Sequence, residues 1–290
     1  MYTYKKNSLP KNSVEILVNI PKADIKEAYQ EAFSLLQKNL VISGFRKGTV
    51  PKEIAEKNIK KEVVYEELIS NLFPKIYEEI IKKENLTPIV SPKIELLKAN
   101  ENEEWQIKII IALKPNIILN DNYKKLIKDM KANQKKDEIW VPGKEQESDL
   151  QKNEIKKQKL LDKILDMLLK NIVCDISDLV IDEELNQRLT NLFDEIKKIG
   201  LTVDGYLKSK KLNIDQLKTQ YRKEIEDAYK LEFILLGIAD KENITVEKSD
   251  LEKIFSYFKN EKERKSAELN SYFYASVIRK QKTLDYLLNL

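Results

Sequence analysis

The chain has 290 residues, 34% of them charged and 8% aromatic, with a net charge of +4; that is length for two domains, or one extended one, and not the composition of a disordered or fibrous protein. It contains no histidine, which removes the commonest general base, the usual zinc ligand and every Ser-His or Cys-His triad at once. Neither GxGxxG nor GxxxxGK(S/T) occurs, no apolar run reaches the roughly 18–20 residues of a membrane span, and the opening Met1-Tyr2-Thr3-Tyr4-Lys5-Lys6-Asn7 lacks the apolar stretch of a signal peptide, so a cytoplasmic protein with no cofactor, metal or membrane partner is expected.

The first predicted element is a strand in which Val14, Ile16, Val18 and Ile20 alternate with Glu15, Leu17 and Asn19. Pro21 then opens a helix to about residue 40, with Ile25, Ala28, Ala32 and Leu35/Leu36 on one side. Next comes Gly44-Phe45-Arg46-Lys47-Gly48-Thr49-Val50-Pro51, which holds two of the six glycines. Glycine on each side of an aromatic and two cations allows a tight turn, and Pro51 presets φ for a following helix. The pattern predicts a short loop that displays Phe45, Arg46 and Lys47 for docking on an anionic, partly apolar surface. Helices follow over 52–59 and 61–83, the second with Val64, Leu68, Leu72, Ile76 and Ile80 in register and a kink or break expected at Pro74. An irregular strand over 86–97 and a strictly alternating one, Trp105, Ile107, Ile109, Ile111 and Leu113, complete a small antiparallel sheet with helices on one side.

Residues 116–149 read as a linker, ordered where Ile117, Ile118, Leu119 or Trp140 find partners. From 150 onward every pattern is helical. One stripe runs through Ile155, Leu161, Ile164/Leu165, Leu168 and Ile172. Asp182 is the predicted N-cap of a helix ending at Gly200. A short element over 205–210, a long helix over 215–243 and two further helices over 246–258 and 261–288 follow. Phe233, Ile234, Leu235, Leu236 and Ile238 come almost consecutively, as in a helix buried on two sides or one with apolar surface for another chain. The single cysteine, Cys174, sits beside Ile172 and Val173 and reads as an inert buried thiol. Residues 1–130 carry 22 Lys/Arg against 18 Asp/Glu, whereas residues 131–290 carry 30 of each. The whole net charge therefore lies in the half that contains the loop, a pointer to an RNA-bearing partner.

Gly44-Phe45-Arg46-Lys47-Gly48-x-x-Pro51 resembles the ribosome-docking signature of the trigger factor family, bacterial chaperones that meet nascent chains at the tunnel exit. Strand, long helix, loop, paired helices and closing strands are similar to that family's ribosome-binding domain. Leu179-Val180-Ile181-Asp182-Glu183-Glu184-Leu185 and Leu235-Leu236-Gly237-Ile238-Ala239 resemble helices of its C-terminal cradle. Family members usually carry an FK506-binding-type prolyl isomerase domain between these parts, and here only linker residues stand in its place. The expected fold is therefore an α+β domain over 1–115, a linker over 116–149 and an all-α cradle-like domain over 150–290, elongated overall.

The resemblance implies a chaperone without isomerase chemistry and without ATP. Gly44, Phe45, Arg46, Lys47, Gly48 and Pro51 would dock on the large ribosomal subunit, with no sequence-specific nucleic-acid contact. Nascent or unfolded chains would rest on apolar side chains of the cradle, for which Phe233, Leu236, Tyr257, Phe258, Tyr272, Phe273 and Tyr274 are the candidates. Periodicity does not separate such residues from core. Three other readings stay open: a prolyl isomerase-type folding factor, a helical scaffold or RNA-binding protein, and an off-ribosome holdase, in one form a homodimer.

Overall fold

The computed structural model describes residues 2–100, 103–119, 122–137, 149–258 and 260–290. The chain divides into two compact units, one of Met1–Lys114 with Ser177–Val180, the other of Pro115–Ile176 with Ile181–Leu290.

The first unit is a four-stranded antiparallel sheet covered by helices. Its strands are β1 (Thr3–Leu9), β2 (Ser13–Ile20), β3 (Lys93–Lys98) and β4 (Trp105–Ala112), in the spatial order β1-β2-β4-β3. The period of two puts Val14, Ile16, Val18 and Ile20 of β2 beside Ile111, Ile109, Ile107 and Trp105 of β4, all buried on one face. Helices α1 (Lys22–Asn39) and α3 (Lys61–Glu84) supply the other half of this core through Ile25, Ala32 and Phe33, and through Val64, Leu68, Phe73, Ile76 and Ile80. The short α2 (Lys52–Asn58) adds Ala55.

Two expectations for this unit are corrected. Strand β1, TYKKNSL, lay hidden from the sequence because it is a polar edge strand. Its hold on the fold is long-range: Tyr2 and Tyr4 hydroxyls donate to Glu79 and Glu84 of α3, each at 2.7 Å. Helix α3 runs unbroken through Pro74. Pro74 and Ser70, whose carbonyl the missing N–H would have served, are both exposed, so the lost bond falls on the side open to solvent. Phe73 and Ile76 meanwhile hold the helix to the core.

The second unit is helical: α4 (Asn122–Asp137), α5 (Asp149–Asn171), α6 (Asp178–Lys198), α7 (Val203–Ser209), α8 (Ile214–Lys241), α9 (Lys248–Ser256), α10 (Glu261–Leu269) and α11 (Ser271–Asn289). Only the first turn of α6 falls in the other unit. Helix α8 starts on a capping box in which Asn213 and Gln216 serve each other's backbone amides. The stripe predicted for α5 is realised at Ile164, Leu168 and Ile172, whereas Ile155 is exposed.

Three boundaries depart from the sequence reading. Part of the predicted linker is α4, whose Tyr123 and Ile127 are buried and whose Leu126 and Met130 are half-buried. That 3–4 spacing was present but diluted by lysines; residues 138–148, with Trp140, lie outside the described residues. Helix α6 begins at Asp178 and not at Asp182. Burial of Val180 and Ile181 draws the turn before Asp182 into the helix, the Ser177 hydroxyl accepts from the Leu179 amide at 3.2 Å, and Asp182 pairs with Arg222. The predicted 261–288 helix is broken at Asn270, whose side-chain amide donates back to Ser266 O at 2.9 Å.

Before α4, residues 115–119 form an extended strap over α8. Gly237 makes this approach feasible: a Cβ there would stand 3.0 Å from Leu119 Cδ1 and 3.3 Å from Ile117 Cδ1. Lys241 donates to Leu119 O at 2.9 Å. Ile118 points away and is exposed. The strap leads into a polar junction where the Glu242 carboxylate, at the end of α8, accepts from Tyr123 and Tyr286 hydroxyls, each at 2.7 Å, and pairs with Lys124 at 2.6 Å. One carboxylate thereby ties α4, α8 and α11 together.

Candidate functional site

The loop between α1 and α2 is built from two successive turns. The Phe45 amide donates to Ile42 O at 3.1 Å, and the Thr49 amide to Arg46 O at 3.0 Å. Gly44 (φ 92°) and Gly48 (φ 84°) each occupy the third position of a turn, where a type II turn requires a positive φ. The Thr49 hydroxyl also donates to Arg46 O, at 2.7 Å. The base is closed from α1: Gln37 Nε2 donates to Val50 O at 2.7 Å, and the Val50 side chain is buried. Pro51 is the residue before α2, not its first turn, and its carbonyl accepts from the Ile54 and Ala55 amides at 3.1 and 3.0 Å.

This scaffold leaves Phe45, Arg46 and Lys47 outward. Phe45 is 38% exposed, and both cations are exposed with no ion-pair partner among the described residues. A planar guanidinium, an ammonium and a phenyl ring side by side can grip carboxylate or phosphate and apolar surface together.

In the helical unit the seven aromatic and aliphatic candidates fall into two groups, and none is fully buried. Tyr257, Tyr272 and Phe273 stand at 82%, 87% and 62% exposure. Phe233, Leu236, Phe258 and Tyr274 are half-buried. Tyr274 is the hub of the aromatic tip, edge-to-face with Phe255, Phe258 and Phe273 at centroid distances of 5.7, 6.0 and 5.5 Å. Phe233 instead stacks along α8 on Tyr229. The sequence reading missed Leu269, which the break at Asn270 leaves 87% exposed beside this tip. Asn270 was the available signal.

Leu236 and Tyr272 also line a cleft of about 310 Å3 between α8 and α11, with Leu235, Ala239, Ile244 and Val246. Its charged rim is self-neutralised: Glu232 pairs with Lys280, and Asp240 accepts from Arg279 at 2.6 Å. The cleft can take uncharged side chains. Elsewhere in the second unit Cys174 is buried, and loss of solvation pushes its thiol up to about 11, far from thiolate chemistry. Among the described residues no group of His, Cys, Asp and Glu could hold a metal ion, and no helix is long and apolar enough to cross a membrane.

With this geometry in hand, comparison with known proteins identifies both parts of the chain. Residues 2–141 match the family model of bacterial trigger factor protein, and residues 144–289 match that of its C-terminus, so residues 142–143 alone separate the two. A trigger factor of Lactiplantibacillus plantarum is 32% identical over 115 residues, 40% of this chain and 26% of its own length. That of Levilactobacillus brevis is 29% identical over 110 residues, 38% of this chain and 25% of its own length. The chain thus spans about a quarter of the curated relatives it matches. A solved structure, from work on promiscuous substrate recognition in folding and assembly activities of the trigger factor chaperone, superposes with a TM-score of 0.65 over 99% of both chains at 15% identity, a likeness of fold. The chain belongs to the bacterial trigger factor family.

Proposed function

We propose that the chain is an ATP-independent chaperone of the cytoplasm that docks at the ribosomal tunnel exit through the 44–51 loop and shelters nascent or unfolded chains on its helical unit. Docking is assigned to residues 1–115 and sheltering to residues 150–290, with α4 on the helical side. The observation that carries the reading is the loop, with two positive-φ glycines holding an aromatic and two cations outward, the cations without an ion-pair partner among the described residues. Contacts of this kind are loosened by salt, which suits reversible docking. The aromatic tip at Tyr257, Tyr272 and Phe273, with the neutral cleft beside it, supports a client surface that selects for apolar content and not for charge. Isomerase chemistry is left out of the proposal, because the two family matches are separated by residues 142–143 alone.

The test is co-sedimentation with ribosomes. Replacing Phe45, Arg46 and Lys47 by alanine abolishes it, while the helical circular dichroism stays unchanged because all three side chains lie outside both cores. Binding equal to wild type in that variant refutes the docking assignment.

A further inference from the structure

A groove of about 900 Å3 opens in the sheet-containing unit between α1, α2 and α3. At its floor the half-buried rings of Tyr29 and Tyr65 lie 5.1 Å apart, and Tyr65 leans on Trp105 at 5.7 Å. Lys22, Lys26, Lys52 and Lys61 line its walls. Two acids line it as well, and both are engaged: Glu56 is 3.8 Å from Lys52, and Glu103 is 2.8 Å from Lys98. Lys22 and Lys26, one helical turn apart, have no ion-pair partner among the described residues.

The position of these cations runs against helix stability. Lys22, Lys52 and Lys61 are the first residues of α1, α2 and α3, where the macrodipole disfavours positive charge, and no side chain caps any of the three starts. An acidic residue in each first turn, Asp24, Glu53 and Glu62, offsets that charge along its own helix, while the lysines line the groove.

We propose that this groove holds a segment of single-stranded RNA, gripped by its phosphates and stacked on the tyrosine pair without sequence readout. Four lysines and no arginine suit point contacts to successive phosphates better than bidentate pairing with carboxylates of an acidic peptide. The aromatic pair offers a π-face that any base can use. The groove also adjoins the loop: Gln37 lines it and ties down Val50, and Lys52 follows Pro51 directly. The proposal deepens the docking reading, and rests on it in taking the partner to be an RNA-bearing particle.

The experiment titrates the full chain into a labelled 12-nucleotide oligouridine, read by fluorescence anisotropy across a salt series. Four phosphate contacts, two of them made by Lys52 and Lys61 in exchange for their present interactions, give a slope of log K against log salt of about −2.8. In Lys22→Ala/Lys26→Ala the slope falls to about −1.4 and affinity at 0.1 M salt drops about 25-fold. Lys197→Ala/Lys198→Ala, an equal change of charge on exposed residues at the end of α6, leaves both at wild-type values. The proposal is overturned if wild type does not bind the oligonucleotide or if Lys22→Ala/Lys26→Ala binds it unchanged. It is equally overturned if an oligoglutamate binds more tightly and displaces it. Failure of docking is read separately, in ribosome binding by the loop variant.

Discussion

Replacing Glu242 by Gln keeps the size of the side chain and removes its charge from the junction of α4, α8 and α11. The carboxylate side chain is only 15% exposed and serves Lys124, Tyr123 and Tyr286. Those partners, Lys124 first, hold its pKa at about 2 against an ordinary 4.5. A shift of roughly 2.5 units corresponds to about 3.4 kcal/mol in favour of the charged form, or about 2–3 kcal/mol after solvent screening. The glutamine amide resembles the neutral acid, so its cost at pH 7 is of that size, and the Tyr123 hydroxyl, buried, is left competing for one carbonyl oxygen. Because the folded pKa is depressed, the stabilisation is fully present above about pH 4.5 and is lost as pH falls toward 2. Urea unfolding of the helical unit, followed by circular dichroism, separates Glu242→Gln from wild type by about 2–3 kcal/mol at pH 7 and by roughly 2 kcal/mol less at pH 3. A gap under about 0.5 kcal/mol at pH 7, or one equal at both pH values, refutes the electrostatic account.

Two further substitutions probe the helical unit. Gly237→Ala stays within about 1 kcal/mol of wild type, since helix propensity offsets small shifts of the Leu119 and Ile117 side-chain ends, whereas Gly237→Leu lifts the strap and accelerates hydrogen exchange over 116–119; protection unchanged in the leucine variant contradicts the notch. Tyr272→Ser/Phe273→Ser costs about 1 kcal/mol of stability, chiefly the edge-to-face contact of Phe273 with Tyr274 since both side chains are largely exposed, but weakens suppression of client aggregation. Undiminished suppression removes the aromatic tip from the client surface.

Legibility in the sequence tracked how local each determinant was. Strands β2 and β4 could be read because their alternation is strict and one face is buried along its whole length. The loop could be read because glycine at two turn positions is a local requirement. Strand β1 could not, since its place depends on bonds from Tyr2 and Tyr4 to a helix some eighty residues away. The start of α6 turned on competition between two good capping residues, Ser177 and Asp182, which burial of the intervening Val180 and Ile181 decided. Exposure of Tyr272 against partial burial of Tyr274, two positions on in one helix, depends on where α9 and α10 pass, which no periodicity in α11 reports.

The tie from Gln37 to Val50 has a kinetic corollary. A loop already closed at its base and pinned by a buried valine does not have to become ordered when it meets a surface. The entropy of shaping it was spent when the domain folded. An aromatic and two cations form a small contact, so such a prong has little to hold it once engaged. On the proposed docking role the expected behaviour is rapid exchange: quick to arrive, brief in residence and ready for the next encounter without refolding its tip.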